Sequence, residues 1–115
     1  MHAFDVLGDP CRRRILELLA GEEQSSGALV EVIQREFGIS QPAVSQHLRV
    51  LREAGFATVR NDGARRLYSL RAEPFQEVDA WLDGFRTYWS PRFGALALEV
   101  ARGKRERAKG EAASE

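Results

Sequence analysis

The fold is decided by the stretch GISQPAVSQHLRVLREAG, residues 38–55. Gly38 is typical of a helix C-terminus, where glycine enters the left-handed region at little cost. Ser40 follows after one residue and is a preferred N-cap, so a second helix begins almost at once. Apolar residues at helical spacing predict the buried face of this helix: Val44, Leu48 and Leu51. Two helices joined by so short a connection are typical of a helix-turn-helix.

Helix signals also precede this stretch. Asp9-Pro10 combines a preferred N-cap with a residue suited to the first helical position, and Gly21 marks the end of that helix. A short helix over 4–7 is predicted before it. The polar stretch 22–27 predicts a loop that ends in a serine cap. The apolar face of the next helix is formed by Leu29, Val32, Ile33 and Phe37.

Beyond Gly55 the apolar period changes from the helical 3.6 to the strand value of 2. Residues 57–60 and 66–70 alternate between apolar and polar side chains, and the segment between them contains Gly63. This pattern predicts a β-hairpin with a glycine-containing turn. The fold class is therefore α+β and mostly helical: a winged helix-turn-helix with one β-hairpin wing and further helices at the chain termini.

A long helix is predicted after the wing. Its apolar residues repeat at three- and four-residue steps: Phe75, Val78, Leu82, Phe85 and Trp89. Ser90-Pro91 predicts a kink or a restart of this helix. We expect residues 1–102 to form one domain and residues 103–115 to be a disordered polar tail.

The charges are balanced overall but segregated along the chain. The 115 residues include 17 basic and 17 acidic ones. Residues 40–71 carry six arginines against two acidic residues, a local net charge of +4, whereas residues 1–39 and 72–101 are net acidic. A basic segment between two acidic ones indicates a localised anionic partner.

Double-stranded DNA is the partner that this arrangement predicts. The face of the recognition helix opposite its apolar stripe carries residues suited to base edges and phosphates. The candidate DNA-binding residues are Gln41, Ser45, Gln46, His47, Arg49 and Arg52, with Arg60, Arg65 and Arg66 of the wing. His47 either contacts DNA or packs between the helices. A winged-helix protein-interaction module and a constitutive DNA-binding factor without an inducer are the alternatives.

Specific binding predicts a homodimer, because one recognition helix contacts too few base pairs. Two copies about 34 Å apart match an inverted-repeat operator. The recognition helix and wing must face DNA, so we expect the dimer interface in the terminal helices of the 1–102 domain. The predicted interface residues are Phe4, Leu7, Phe75, Val78, Leu82, Phe85 and Trp89.

Several protein classes are excluded by the sequence. Cys11 is the sole cysteine, so no disulfide framework forms within the chain. No run approaches the roughly 18 apolar residues of a membrane span, and the N-terminus lacks a signal-peptide layout, so we expect a cytoplasmic protein. His2 and His47 are badly placed for a nucleophile–histidine–carboxylate arrangement, and no enzyme is predicted.

Four stretches resemble transcriptional repressors of the ArsR/SmtB type. They are FDVLGDPCRRRILELL at 4–19, ISQPAVSQHL at 39–48, VLREAG at 50–55 and DGARRLYSL at 62–70. The resemblance runs in collinear order from residue 4 to about residue 90. It implies a bacterial or archaeal homodimer that represses transcription at an imperfect inverted repeat and releases the DNA when an inducer binds.

This sequence lacks the metal-binding residues of the family. One branch binds arsenite or soft metals through cysteines on the helix before the recognition helix, but residues 28–33 contain no cysteine or histidine. Another branch binds zinc through histidines and carboxylates of C-terminal helices, but residues 75–101 contain no histidine. We therefore expect no metal and no cofactor, as in a metal-free subgroup with an aromatic C-terminal helix. The effector is not specified.

Cys11 has two interpretations. A helix N-terminus and the adjacent arginines lower a thiol pKa, which favours a redox sensor, whereas a cysteine without a resolving partner favours an inert thiol. If the protein bound a metal, Cys11 would be the first residue to suspect.

Overall fold

The computed structural model describes residues 2–89. The chain divides into two compact units, Met1–Asp79 and Ala80–Glu115. The elements are α1 (Ala3–Leu7), α2 (Pro10–Gly21), β1 (Gln24–Ser25), α3 (Ser26–Phe37), α4 (Gln41–Glu53), β2 (Ala57–Asp62), β3 (Arg65–Leu70), α5 (Glu73–Asp83) and α6 (Arg86–Trp89). The predicted order of helices and hairpin is confirmed, and α5 crosses from the first unit into the second.

Side-chain caps begin the main helices where the sequence predicts them. The Asp9 carboxylate accepts hydrogen bonds from the backbone N–H groups of Cys11 and Arg12, at 2.8 and 3.2 Å. Ser25 and Ser40 each accept one bond from the backbone N–H three residues further on. These bonds satisfy donors that a helix leaves unpaired in its first turn. They fix the residues at which α2, α3 and α4 begin.

The connection between α3 and α4 depends on Gly38. Its φ of 67° lies in the left-handed region, and its N–H donates to the carbonyl of Gln34 at 2.9 Å. Such a C-terminal glycine lets the chain leave α3 sharply. Only residues 38–40 therefore separate the two helices, and α4 packs against α3.

The wing is part of a three-stranded antiparallel sheet with the order β1-β3-β2. The hairpin strands β2 and β3 are longer than predicted and pair up to Asp62 and Arg65. Gly63, with a φ of 64°, and Ala64 make the two-residue turn. β1 pairs with β3 at Tyr68 and Leu67. The sequence predicts a loop where β1 lies, because two residues are too few to show a strand period.

The core of the first unit joins α1, α2, α3 and α4 with the base of the wing. Its fully buried side chains are Phe56, Ile15, Leu29, Ile33, Leu51, Val6 and Val44. The predicted buried face of α4 is confirmed, since Leu48 is also buried. Phe75 of α5 packs edge-on against Phe56, with ring centroids 5.2 Å apart, and Val78 packs against the same core.

The prediction of one helix from Phe75 through Trp89 is wrong. The helix ends at Asp83, and α6 begins only at Arg86. At the break, the Phe85 N–H donates to the carbonyl of Leu82 at 2.9 Å, a bond over three residues instead of four. Gly84 explains the interruption, because glycine costs about 1 kcal/mol in a helix interior. The predicted break at Ser90-Pro91 and the predicted tail lie outside the described residues.

Within residues 2–89, no helix combines the length and the apolar character needed to cross a bilayer.

Candidate nucleic-acid interface

One face of α4 is open to solvent. Because the apolar stripe of α4 is buried in the core, the opposite side is left exposed. The exposed residues on it include Gln41, Ser45, Gln46, Arg49 and Arg52. These are the residues that the sequence predicts for DNA contacts, and the structure places them together along the outer face of a three-turn helix.

A cleft of about 390 Å³ lies beside this face of α4. The helix contributes Gln41, Ser45, Arg49 and Arg52 to its lining. Arg66 of β3 and the first residues of α3, Ser26 and Gly27, also line it. The recognition helix, the wing and the start of α3 therefore converge on one concave, largely polar surface. Gln46 is exposed on α4 but does not line the cleft.

Two arginines of this cleft are available to bind an anion. Arg49 is engaged by Glu53 at 3.0 Å, one turn further along α4. Arg52 and Arg66, by contrast, form no hydrogen bond or ion pair with any residue in the range 2–89. Uncompensated guanidinium groups are suited to phosphate or to guanine, because they offer paired N–H donors in one plane.

The other two wing arginines are paired within the chain. Arg65 contacts Asp62 at 2.7 Å, close to the turn of the hairpin. Arg60 makes two hydrogen bonds to Glu23, at 2.9 and 3.0 Å, and Ser69 donates a third to the same carboxylate at 3.1 Å. Glu23 thereby ties the middle of the wing to the segment between α2 and α3. Arg60 can reach a phosphate only by leaving or sharing Glu23.

Glu23 gives the attachment of the wing a pH dependence. The hydrogen bond from Arg60 holds the pKa of Glu23 below its ordinary value of 4.5. A carboxyl group with a depressed pKa stabilises the folded state above its unfolded pKa, and this contribution is lost as the pH falls through the folded pKa. We expect Glu23→Gln to lower the melting temperature near neutral pH, and the difference from wild type to shrink below about pH 4.5.

The measurement is the melting temperature of wild type and variant over a series of pH values. Glu31→Gln is the matched control, because Glu31 is an exposed carboxyl group on α3 without such a contact. A Glu23→Gln effect of equal size at acidic and neutral pH would contradict a role for the charged form of Glu23.

His47 lies at the contact between α4 and α2, where the sequence left two roles open. The side chain is half-buried, and its Nδ1 is 3.3 Å from a terminal nitrogen of Arg12. Its Nε2 is 4.0 Å from the Asp9 carboxylate. Arg12 also donates to the carbonyls of Val6 and Asp5, each at 3.0 Å. In this structure His47 therefore packs between the helices.

Cys11 is in a different environment from the one predicted. It is buried, with 8% of its surface exposed. Burial raises the pKa of the thiol, the nearby Asp9 carboxylate raises it further, and the opposing effect of Arg12 is smaller. The expectation of a lowered pKa is wrong, because it counted the helix N-terminus and the arginines but not the loss of solvent. A protonated, buried thiol is a poor redox sensor.

The structure also brings together residues that the sequence reasoning did not combine. Asp9, Cys11 and His47 offer three potential ligand atoms within 4.8 Å of one another. Ser26 and Gly27 at the cleft were likewise not predicted. The serine cap at the start of α3 was the available signal for these two, because an exposed helix N-terminus attracts anions.

The predicted interface residues fall into two groups. Leu7, Phe75 and Val78 pack against the core of the first unit. Phe4 is exposed, and in the second unit Phe85 and Trp89 are 41% and 53% exposed, while Leu82 is half-buried. Trp81 and Tyr88 are exposed beside Phe85, with ring centroids 4.6 and 6.3 Å from it. An aromatic surface therefore lies on α6 and the end of α5.

Comparison with known proteins identifies the family. A model for a helix-turn-helix domain matches residues 7–60. The transcriptional repressor SdpR of Bacillus subtilis (strain 168) is 33% identical over 84 residues, which are 73% of this chain and 89% of that protein. The solved structure of a possible transcriptional regulator for arsenical resistance is 39% identical with a TM-score of 0.63, over 74% of this chain and 84% of its own. The structure of an ArsR family transcriptional regulator is 27% identical with a TM-score of 0.62, over 76% of this chain and 87% of its own.

The chain belongs to the ArsR/SmtB family of transcriptional repressors. Members of this family bind DNA through a winged helix-turn-helix and are not enzymes. The ArsR/SmtB protein described here is thus a DNA-binding transcriptional regulator, and the predictions of family, fold and general function are confirmed. The helix-turn-helix match includes α2, α3 and α4 and ends within β2.

Proposed function

We propose that this ArsR/SmtB protein is a homodimeric repressor that reads an inverted-repeat operator with α4 and grips its backbone with the wing. The observation that carries the proposal is that Gln41 and Ser45 line the same cleft as the unpaired Arg52 and Arg66. Hydrogen-bonding side chains and free cations on one surface suit base edges and the phosphates beside them.

The residues divide into base-reading and phosphate-binding groups. Gln41, Ser45 and Gln46 are exposed near the start of α4, the end of a recognition helix that approaches the bases. Glutamine bonds adenine through two atoms, and serine suits several base edges. We assign phosphate binding mainly to Arg49, Arg65 and Arg66. Arg52 remains available for either role, because no contact within residues 2–89 occupies it.

The start of α3 supplies a further backbone contact. Ser25 satisfies only the N–H of Ala28, so the first N–H groups of α3, at Ser26 and Gly27, are left without a helical partner. Both residues border the cleft. Free N–H groups and the positive end of a helix dipole favour a phosphate there. Such a contact positions the protein on the duplex without reading its sequence.

A homodimer supplies the second half-site. Two recognition helices about 34 Å apart contact successive major-groove segments on one side of the DNA. A two-fold axis in the protein then matches an inverted repeat in the operator. Release of the DNA when an inducer binds is part of this proposal.

A pair of variants separates the two groups of residues. Gln46→Ala is expected to relax the preference at one base position per half-site, at a cost of about 1–3 kcal/mol for the preferred sequence. Arg66→Ala is expected to weaken binding to all sequences alike. It should also reduce the slope of log affinity against log salt by about 0.9 per half-site, the effect of one lost phosphate contact.

The measurement is binding to duplexes selected from random DNA and to single-base variants of them, at several salt concentrations. Arg35→Ala is the matched control, because Arg35 is exposed near the far end of α3 and does not line the cleft. Identical changes in specificity and salt slope for Gln46→Ala and Arg66→Ala would show that the division is wrong. Failure to bind any duplex even at low salt, where phosphate contacts are strongest, would instead favour a protein-interaction module.

A further inference from the structure

A cluster of three potential metal ligands lies away from the DNA cleft, where α4 contacts the start of α2. Asp9 caps α2, Cys11 lies in its first turn, and His47 lies near the middle of α4. One carboxylate oxygen, the Cys11 Sγ and one His47 ring nitrogen are all within 4.8 Å of one another. None of the three residues lines the cleft.

The donor set is one that zinc prefers. Zinc binds thiolate sulfur at about 2.3 Å and imidazole nitrogen or carboxylate oxygen at about 2.0–2.2 Å, most often in a tetrahedron. Ligand atoms of such a tetrahedron lie about 3.3–3.8 Å apart, so the observed spacing has to close by about 1 Å. Changes of side-chain rotamer at the edge of two helices can supply this movement. We propose that Asp9, Cys11 and His47 bind one zinc ion, with water in the fourth position.

The charges of the site suit a divalent cation. Binding releases the thiol proton to solvent as the sulfur–zinc bond forms. The resulting thiolate and the Asp9 carboxylate together neutralise the two positive charges of the ion. Arg12 is the cation that faces the cluster, through its contact with His47. Its long side chain can turn away, because it is only half-buried.

Zinc binding would change the contact between His47 and Arg12. An arginine donates hydrogen bonds and accepts none, so His47 Nδ1 must be the acceptor in the 3.3 Å contact. Nε2, which lies 4.0 Å from Asp9, is then the ring nitrogen that faces the cluster. When Nε2 binds zinc, the neutral ring carries its proton on Nδ1, which can no longer accept from Arg12.

The displaced Arg12 connects the site to α1. The same guanidinium donates to the carbonyls of Asp5 and Val6 in that helix. A zinc ion would therefore disturb one side chain that contacts α1, α2 and α4 together. This site differs from the two metal-binding positions of the family, and the proposal departs from the expectation that the protein binds no metal. It does not depend on the proposed operator binding, because all ligands come from one chain.

Cobalt and zinc ions test the site in the full-length, metal-free protein. One equivalent of Co²⁺ is expected to give a thiolate-to-cobalt charge-transfer band together with the visible absorption of tetrahedral cobalt. Zn²⁺ should abolish both by competition, and a chromophoric chelator gives the zinc affinity. Nitrogen-15 NMR of the histidine rings should show His47 Nδ1 changing from an acceptor to a protonated nitrogen on zinc binding.

Single substitutions identify the ligands. Cys11→Ser is expected to remove the charge-transfer band. We expect two further variants, Asp9→Asn and His47→Gln, each to weaken zinc binding by at least about 10-fold. Loss of an outer-shell partner alone typically costs about 10- to 100-fold. Asparagine at position 9 keeps a good helix cap. His2→Asn is the matched control, because His2 is the other histidine of the chain and lies on α1's N-cap. Circular dichroism verifies that each variant is folded.

The results distinguish a three-ligand zinc site from metal binding by the Cys11 thiol alone. Wild-type protein without the charge-transfer band would overturn the proposal. It is also overturned if Asp9→Asn and His47→Gln bind cobalt as tightly as the wild type, because the thiol alone then holds the metal. DNA binding of the metal-free protein is measured separately. A failure of operator binding therefore leaves the zinc result unaffected.

Discussion

Replacing Phe85 and Trp89 with aspartate is expected to produce a folded monomer that no longer binds its operator specifically. Phe85 and Trp89 are 41% and 53% exposed and are not part of the buried core of the first unit, so the substitutions leave that core unchanged. At a two-fold interface, however, the two copies together would bury four added carboxylates. These charges would repel one another and would lack hydrogen-bonding or ionic partners. Loss of the second recognition helix reduces operator affinity by about 10²–10⁴-fold, the usual gain from two linked binding sites.

Sedimentation and operator titration measure the two effects in parallel. Thr87→Asp is the matched control, because it puts a carboxylate on α6 at an exposed position that is not aromatic. Retained helical circular dichroism shows that the monomer is folded. A double variant that sediments as a dimer and binds its operator with wild-type affinity would place the interface elsewhere.

Phe56→Ala is expected to have the largest effect on stability. Phe56 is fully buried and meets Phe75 of α5 edge-on. Truncating a buried phenylalanine costs about 3–5 kcal/mol, through lost transfer free energy and the cavity left behind. A small domain has only about 5–15 kcal/mol of stability in total, so a large fraction of it would be lost.

Urea unfolding at constant protein concentration measures this loss. Phe37→Ala is the matched control, since Phe37 is 37% exposed and its truncation should cost much less. Because Phe56 immediately precedes β2, the variant should also loosen the base of the wing and increase its amide hydrogen exchange. Equal losses for Phe56→Ala and Phe37→Ala would show that the core is not centred on Phe56.

The local structure of the helix-turn-helix could be predicted because its signals are short-range. Ser25 and Ser40 cap helices through bonds that span three residues, and Gly38 ends a helix by its own backbone conformation. The burial of Val44 follows from its spacing along one helix. The two features that were missed, β1 and the break at Gly84, involve too few residues to alter a periodic pattern. At Gly84 the apolar spacing continues through the break and conceals it.

The electrostatic state of the candidate site could not be predicted, because it depends on contacts between distant residues. Counting charges along the chain treats Arg60 and Arg66 as equivalent wing cations. In the structure Glu23, 37 positions away, engages Arg60 and leaves Arg66 free. The proximity of His47 to Cys11 is likewise set by the packing of α4 against α2. The sequence predicts a role for each of these residues, but it does not predict the neighbouring residues that change that role.

The order of the strands also affects how the wing meets other chains. A strand at the edge of a sheet offers unpaired backbone groups on which a foreign strand can be added, the first step toward fibrils. Here β2 forms one edge, and its outer half carries Arg60 and Asp62 instead of apolar residues. The opposite edge, β1, has only two residues and is too short to act as a template. The hairpin can therefore project towards DNA while resisting aggregation through its edges.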